Sequence, residues 1–126
     1  YGGIIMVKIQ KQVTSIPVDF GEFELYFYKS DENIQRLTTL QAEFEQVFKS
    51  FDKDGEKTFE DLEVIKNQLK VAFDSLFGEG SFDKVYQFAN GSTLHALIYF
   101  LQAMEGIMKE FNLEEETKAI NKYLKV

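Results

Sequence analysis

The spacing of apolar residues changes once along this chain, and that change restricts the folds open to it. From Phe23 to Tyr28, Phe23, Leu25 and Phe27 alternate with Glu24, Tyr26 and Tyr28. This is the period of a strand with one buried face. From Ser30 onward, apolar residues recur every three or four positions, the period of amphipathic helices. Upstream, residues 7–16 (VKIQKQVTSI) are rich in β-formers and partly alternate, with Val7, Ile9 and Val13 on one face. Pro17 cannot donate to a ladder, so it marks a strand edge or start. Gly21 is the natural turn residue between the two runs. Residues 7–28 therefore read as a β-hairpin.

The helical part divides at its own punctuation. Leu37, Leu40, Phe44, Val47, Phe48 and Phe51 form a first stripe, with Ser30 or Asp31 placed to cap it. Residues 52–57 (DKDGEK) form a polar loop, and Thr58-Phe59-Glu60-Asp61 opens the next helix like a capping box. Leu62, Ile65, Leu69, Ala72, Phe73 and Leu76 make a second stripe, closed by Gly78 as C-cap. Ser81 starts a short helix carrying Phe82, Val85 and Phe88, which Asn90-Gly91 ends. Ser92 caps the most apolar helix. Its stripe runs through Leu94, Leu97, Ile98, Leu101, Met104, Met108 and Phe111, widened by Tyr99, Phe100 and Ile107, so it is expected to be central. Leu113–Leu124 is a polar helix with a thin seam of Ile120, Tyr123 and Leu124. The fold class is α+β, mainly α: an N-terminal β-hairpin (7–28) followed by a four- to five-helix part (30–126). No linker or repeat divides residues 6–126, which read as one domain. A chain of 126 residues buries about two-thirds of its unfolded surface without disulfides or metals.

The first six residues, Tyr1-Gly2-Gly3-Ile4-Ile5-Met6, have another reading. Adjacent Gly codons can spell a bacterial ribosome-binding sequence, and two Ile codons supply an AT-rich spacer. Met6 is then the start, and residues 1–5 are a translated leader or a disordered tail.

Several chemistries are excluded by residue type. There is no Cys and only one His, which removes thiolate zinc sites, cysteine nucleophiles and paired-histidine metal motifs. The net charge of −7 argues against a nucleic-acid surface. The longest apolar run, Leu94–Met104, is broken by His95 and Gln102. It is far short of the roughly 20 residues of a membrane span. His95 has no Ser, Cys or second His at informative spacing. The acidic groups Glu43/Glu45, Glu60/Asp61 and Glu114–Glu116 read as solvated helix faces. Gly78-Glu79-Gly80 lacks the downstream Gly-Lys-Ser/Thr of a phosphate loop. The expectation is a protein without catalysis or cofactor.

The sharpest local pattern is calcium-like. Residues 42–63, AEFEQVFKSFDKDGEKTFEDLE, resemble an EF-hand loop with its entering helix. Oxygen ligands then fall on Asp52, Asp54, Glu56, the Thr58 carbonyl, Glu60 and Glu63, with Phe59 at the hydrophobic position. Lys57 departs from the pattern, standing where the sharp turn calls for Gly. It costs roughly 1 kcal/mol in conformation and sets a positive charge beside the ion. Glu56 is longer than the usual Asp or Asn, and no second loop is visible. The preferred reading is a solvated connection, with a single calcium site as the alternative.

A family resemblance follows from the order of pieces. A short hairpin feeds a helical domain, and FDSLFGEGSFDKVY, then Ser92 into an apolar helix ending MEGIMKEF, resembles the tail assembly chaperones of long-tailed bacteriophages and prophages. The likeness covers most of the chain after Ile16, with the Phe-Gly-Glu-Gly turn as its most distinctive part. The resemblance implies a non-catalytic factor in the bacterial cytoplasm, absent from the finished tail. Such factors bind the tape measure protein, keep it soluble and help recruit tail tube subunits. The alternative of a different class is a generic acidic helical adaptor.

The chain's own composition is compatible with such a role. Its 13 Phe exceed what a small core is expected to hide, and surplus aromatic surface commonly meets a partner. Tyr26, Tyr28, Phe100 and Ile107 are the candidate partner-binding residues, and homo-oligomers are expected.

Overall fold

The computed structural model describes residues 3–51, 62–111 and 114–124, with the side chains of 47–51 and 114 set aside. Among these residues, two strands, β1 (Ser15–Asp19) and β2 (Glu24–Tyr28), precede five helices: α1 (Asp31–Phe51), α2 (Leu62–Phe77), α3 (Ser81–Phe88), α4 (Thr93–Glu110) and α5 (Glu114–Leu124). The fold is α+β and mainly α, with an N-terminal antiparallel hairpin followed by helices.

The hairpin turns where its sequence dictates. Gly21 has φ +85°, a conformation open to glycine, and its N–H donates to Asp19 Oδ1 at 2.7 Å. Ile16 pairs with Phe27 and Val18 with Leu25, so Ile16, Leu25 and Phe27 point into the core while Glu24, Tyr26 and Tyr28 face solvent. The hairpin is shorter than its β-rich sequence suggests. Residues 7–14 form no strand, and pairing ends where Lys29 N–H donates to Thr14 O at 2.7 Å. The register explains this: the position opposite Val13 is Ser30, and α1 begins at Asp31. In this register the upstream run has no strand residues opposite it.

Local caps set the helix ends. Ser30 Oγ accepts from Asn33 N–H and starts α1. Gly78 and Gly80, at φ +108° and +88°, carry the reversal from α2 into α3. Gly80 has no side chain to cap α3. Asp74 does so from across the turn, its Oδ1 accepting from Phe82 N–H at 3.0 Å. Asn90 and Gly91 break α3 from α4 at positive φ, and Ser92 Oγ caps α4 by accepting from His95 N–H.

α2 is the hub, packing against β2, α1, α3 and α4. Its Ile65, Leu69, Ala72, Phe73 and Leu76 are buried. Phe73 lies against Phe82 and edge-on to Phe100, with ring centroids 6.3 and 5.1 Å apart, and Phe44 of α1 meets Phe100 at 4.8 Å. A second aromatic group, Phe20, Phe23, Phe88 and Tyr99, fastens the hairpin end to α3 and α4. Each such pair adds about 0.5–1.5 kcal/mol beyond area burial. Among the described side chains, no Phe is exposed.

Candidate functional site

The apolar surface that remains is aliphatic, and much of it lies on α4. The buried face of this helix is Thr93, Ala96, Leu97, Phe100, Ala103, Met104 and Ile107. One residue further along, about 100° around the helix, Leu94, Ile98, Leu101 and Met108 are 38–47% exposed. With Glu105 between the last two, they follow alternating four- and three-residue steps, the spacing of a coiled-coil seam. At its C-terminal half the seam borders an open groove of about 510 Å³ between α1 and α4. Phe44, Phe100, Leu101, Met104 and Met108 make its apolar lining, and Gln41, Glu45, Glu105 and Lys109 its polar rim. Glu105 and Lys109 form an ion pair at 3.2 Å along that rim.

Two of the four candidate contact residues are therefore corrected. Phe100 and Ile107 are each 1% exposed and belong to the core, on the face of α4 that also buries Ala96, Leu97, Ala103 and Met104. Phe100 still lines the groove, whereas Ile107 does not. Tyr26 and Tyr28 are at the surface on the solvent face of the hairpin. Tyr26 Oη donates to Glu24 Oε2 at 2.7 Å. That hydrogen bond and the carboxylate's charge raise the Tyr26 pKa above the ordinary phenol range. The exposed stripe of α4 had a legible signal: apolar residues on two faces of one helix exceed what a single packed face can use.

Of the candidate calcium ligands, Asp52, Asp54, Glu56, Thr58 and Glu60 lie outside the described residues. Glu63 is exposed in the first turn of α2. Among the described residues, no group of three His, Asp or Glu side chains is placed to hold a metal ion. His95 is exposed, and its Nδ1 lies 2.7 Å from the capping Ser92 Oγ, which makes it part of the α4 N-terminus. Among the described residues, no helix is long and apolar enough to cross a membrane.

α5 sits apart in character. Ile120, Tyr123 and Leu124 are all exposed, so its apolar seam stays outside the buried core. A long-range polar contact ties it to the end of the hairpin: Lys29 Nζ donates to Glu116 Oε1 at 2.9 Å. That hydrogen bond, more than the charge of the ammonium group, holds the Glu116 carboxyl below the usual carboxylate range. No family model, curated protein or solved structure matches the chain.

Proposed function

We propose that this protein is a non-catalytic assembly chaperone of the long-tailed phage type, binding the helical tape measure protein and helping to recruit tail tube subunits. The observation that carries the reading is the half-exposed Leu94, Ile98, Leu101 and Met108 seam beside the methionine-lined α1–α4 groove. An amphipathic helix reads such a surface through anchors at three- and four-residue spacing. Methionine adapts to anchors of different shape, which suits a partner with a long and varied sequence. A net charge of −7 keeps a complex with an aggregation-prone partner dispersed. The partial exposure of each anchor suits reversible binding, as a factor absent from the finished tail requires. The segment FDSLFGEGSFDKVY adds its resemblance to this family.

On this reading the protein works in the cytoplasm of a bacterial host, and Tyr26 and Tyr28 offer a second contact surface on the hairpin. Its gene is expected between those of a tail tube protein and a tape measure protein. The test is co-expression with that tape measure protein. The expected result is a soluble complex that Ile98→Glu and Met108→Glu abolish without loss of helix content. A tape measure protein that stays insoluble, or a complex indifferent to both substitutions, removes the proposal. In the second case, a complex lost only on changing Tyr26 and Tyr28 moves the contact to the hairpin.

A further inference from the structure

Residues 3–14 run up to β1 without a turn or bend, and residues 3–13 make no hydrogen bond to the rest of the described chain. Ile4, Ile5, Met6, Val7, Ile9 and Val13 in this arm are 73–93% exposed. From Val7 the arm has strand patterning, with Val7, Ile9 and Val13 sharing one face with Lys11, and Lys8, Gln10 and Gln12 on the other. An extended apolar segment with unpaired backbone is a template for pairing with another chain.

We propose that this arm is an exchange strand: residues 7–13 of one molecule pair with the free edge of β2 in a second copy of the chain. The molecule's own sheet cannot take the arm. The positions opposite it in register lie at the start of α1, and residues 3–14 contain no turn that brings them back. The two edges of the sheet are unequal. Hydrogen bonds at the Thr14–Lys29 and Phe20–Phe23 pairs fix the alternation of the ladder, so Ser15, Pro17 and Asp19 point outward on β1 and Glu24, Tyr26 and Tyr28 on β2. Pro17 closes the β1 edge because it has no N–H to offer. On β2, Asn33 Nδ2 donates to Tyr28 O, while the backbone groups of Glu24 and Tyr26 have no partner beyond the hairpin among the described residues. Charge favours a second copy as the occupant. Residues 1–18 contain Lys8 and Lys11 and no acid, and all 21 acidic residues follow, Glu24 on the open edge among them. Each molecule thus carries a basic strand and, in Glu24, an acid on the edge that receives it. The proposal does not rest on the chaperone reading.

Complementation tests it, with sedimentation as the readout and circular dichroism as the folding control. The wild-type chain is expected to associate as concentration rises. Removing residues 1–12 takes away no core side chain and should leave a monomer of unchanged helix content. Tyr26→Pro, which deletes an outward N–H of β2, should also be monomeric. Mixing the two should restore a one-to-one complex, since one supplies the arm and the other the edge. As a second measurement, a labelled peptide of residues 6–14 should bind the truncated protein, and excess wild-type protein should displace it. The result stands on the peptide alone if Tyr26→Pro does not fold. A wild-type monomer at all concentrations, unchanged association after truncation, or no complex on mixing folded variants overturns the proposal. Unchanged association would place any self-contact on the α4 seam instead.

Discussion

Asp74 holds a role that its position in the middle of an apolar stripe conceals. It caps α3 from the preceding helix, across a turn that Gly78 and Gly80 make possible by left-handed backbone. Asp74→Ala is expected to cost about 1 kcal/mol, the usual worth of an N-cap, and Asp74→Asn much less, measured by urea unfolding. The most distinctive part of the phage resemblance, Phe-Gly-Glu-Gly, is thus also a solution to a local backbone problem. Glu116 gives a second residue-scale test, through pH. Its carboxyl is held low by Lys29, so the ionised form is favoured in the folded state. The stabilisation is present above the unfolded carboxylate pKa of about 4.3 and is lost as pH falls through the lower folded value. Wild type and Glu116→Gln should differ in stability at neutral pH and converge in acid. A constant difference across that range would mean that the contact is not electrostatic. At Lys57 the expectation concerns calcium. A lysine at the turn position opposes the ion by strain and by charge, so calcium should leave the melting temperature unchanged. Asp52→Asn with Asp54→Asn should shift stability by no more than about 0.5 kcal/mol. A calcium-dependent rise, the mark of a ligand binding the folded state, would restore the calcium-binding reading.

At the scale of elements, what could be read from sequence was what is decided locally. The Gly21 turn, the Ser30 and Ser92 caps, and the breaks at Gly78 and Asn90-Gly91 each follow from the backbone needs of one or two residues. The rotation of α4 was not legible, because apolar residues cover more than one face and only its packing against α2, α3 and β1 selects between them. The expected surface residues Phe100 and Ile107 went inside, and four residues of the expected core stripe, Leu94, Ile98, Leu101 and Met108, came out. The short ladder was likewise hidden, since it depends on where α1 claims the partner residues. The two faces of α4 should separate under mutation. Phe100→Ala should cost about 3–5 kcal/mol as a buried-aromatic truncation. Ile98→Gln and Met108→Gln should each stay within about 0.5 kcal/mol while weakening capture of a helical partner. Equal destabilisation by all three, in chemical unfolding, would refute this rotation of the helix.

Across the whole molecule, burial is unevenly shared, and the unevenness connects stability with function. One cluster of buried side chains draws on β1, β2 and α1 to α4 and centres on α2. The arm and the apolar side chains of α5 lie outside it. Local opening free energies follow such differences, rising from near zero where few apolar contacts exist to the global value in the core. Amide exchange in the free protein should therefore be fastest in residues 3–13, fast in α5, and slowest in α2 and the buried side of α4. The candidate surface lies between these extremes, on a helix whose other face is anchored. A bound partner helix can thus be read against a quiet background. Under the proposed chaperone function, adding a tape measure protein should slow exchange along α4 from Leu94 to Met108 and in the facing part of α1, with α2 unchanged because it is already near the global limit. Slowing confined to residues 15–28 would assign recognition to the tyrosines of the hairpin instead. If free α5 proves as protected as α2, then α5 is buried by a contact of its own in solution, and self-association through its Ile120–Leu124 seam would displace the arm as the leading contact.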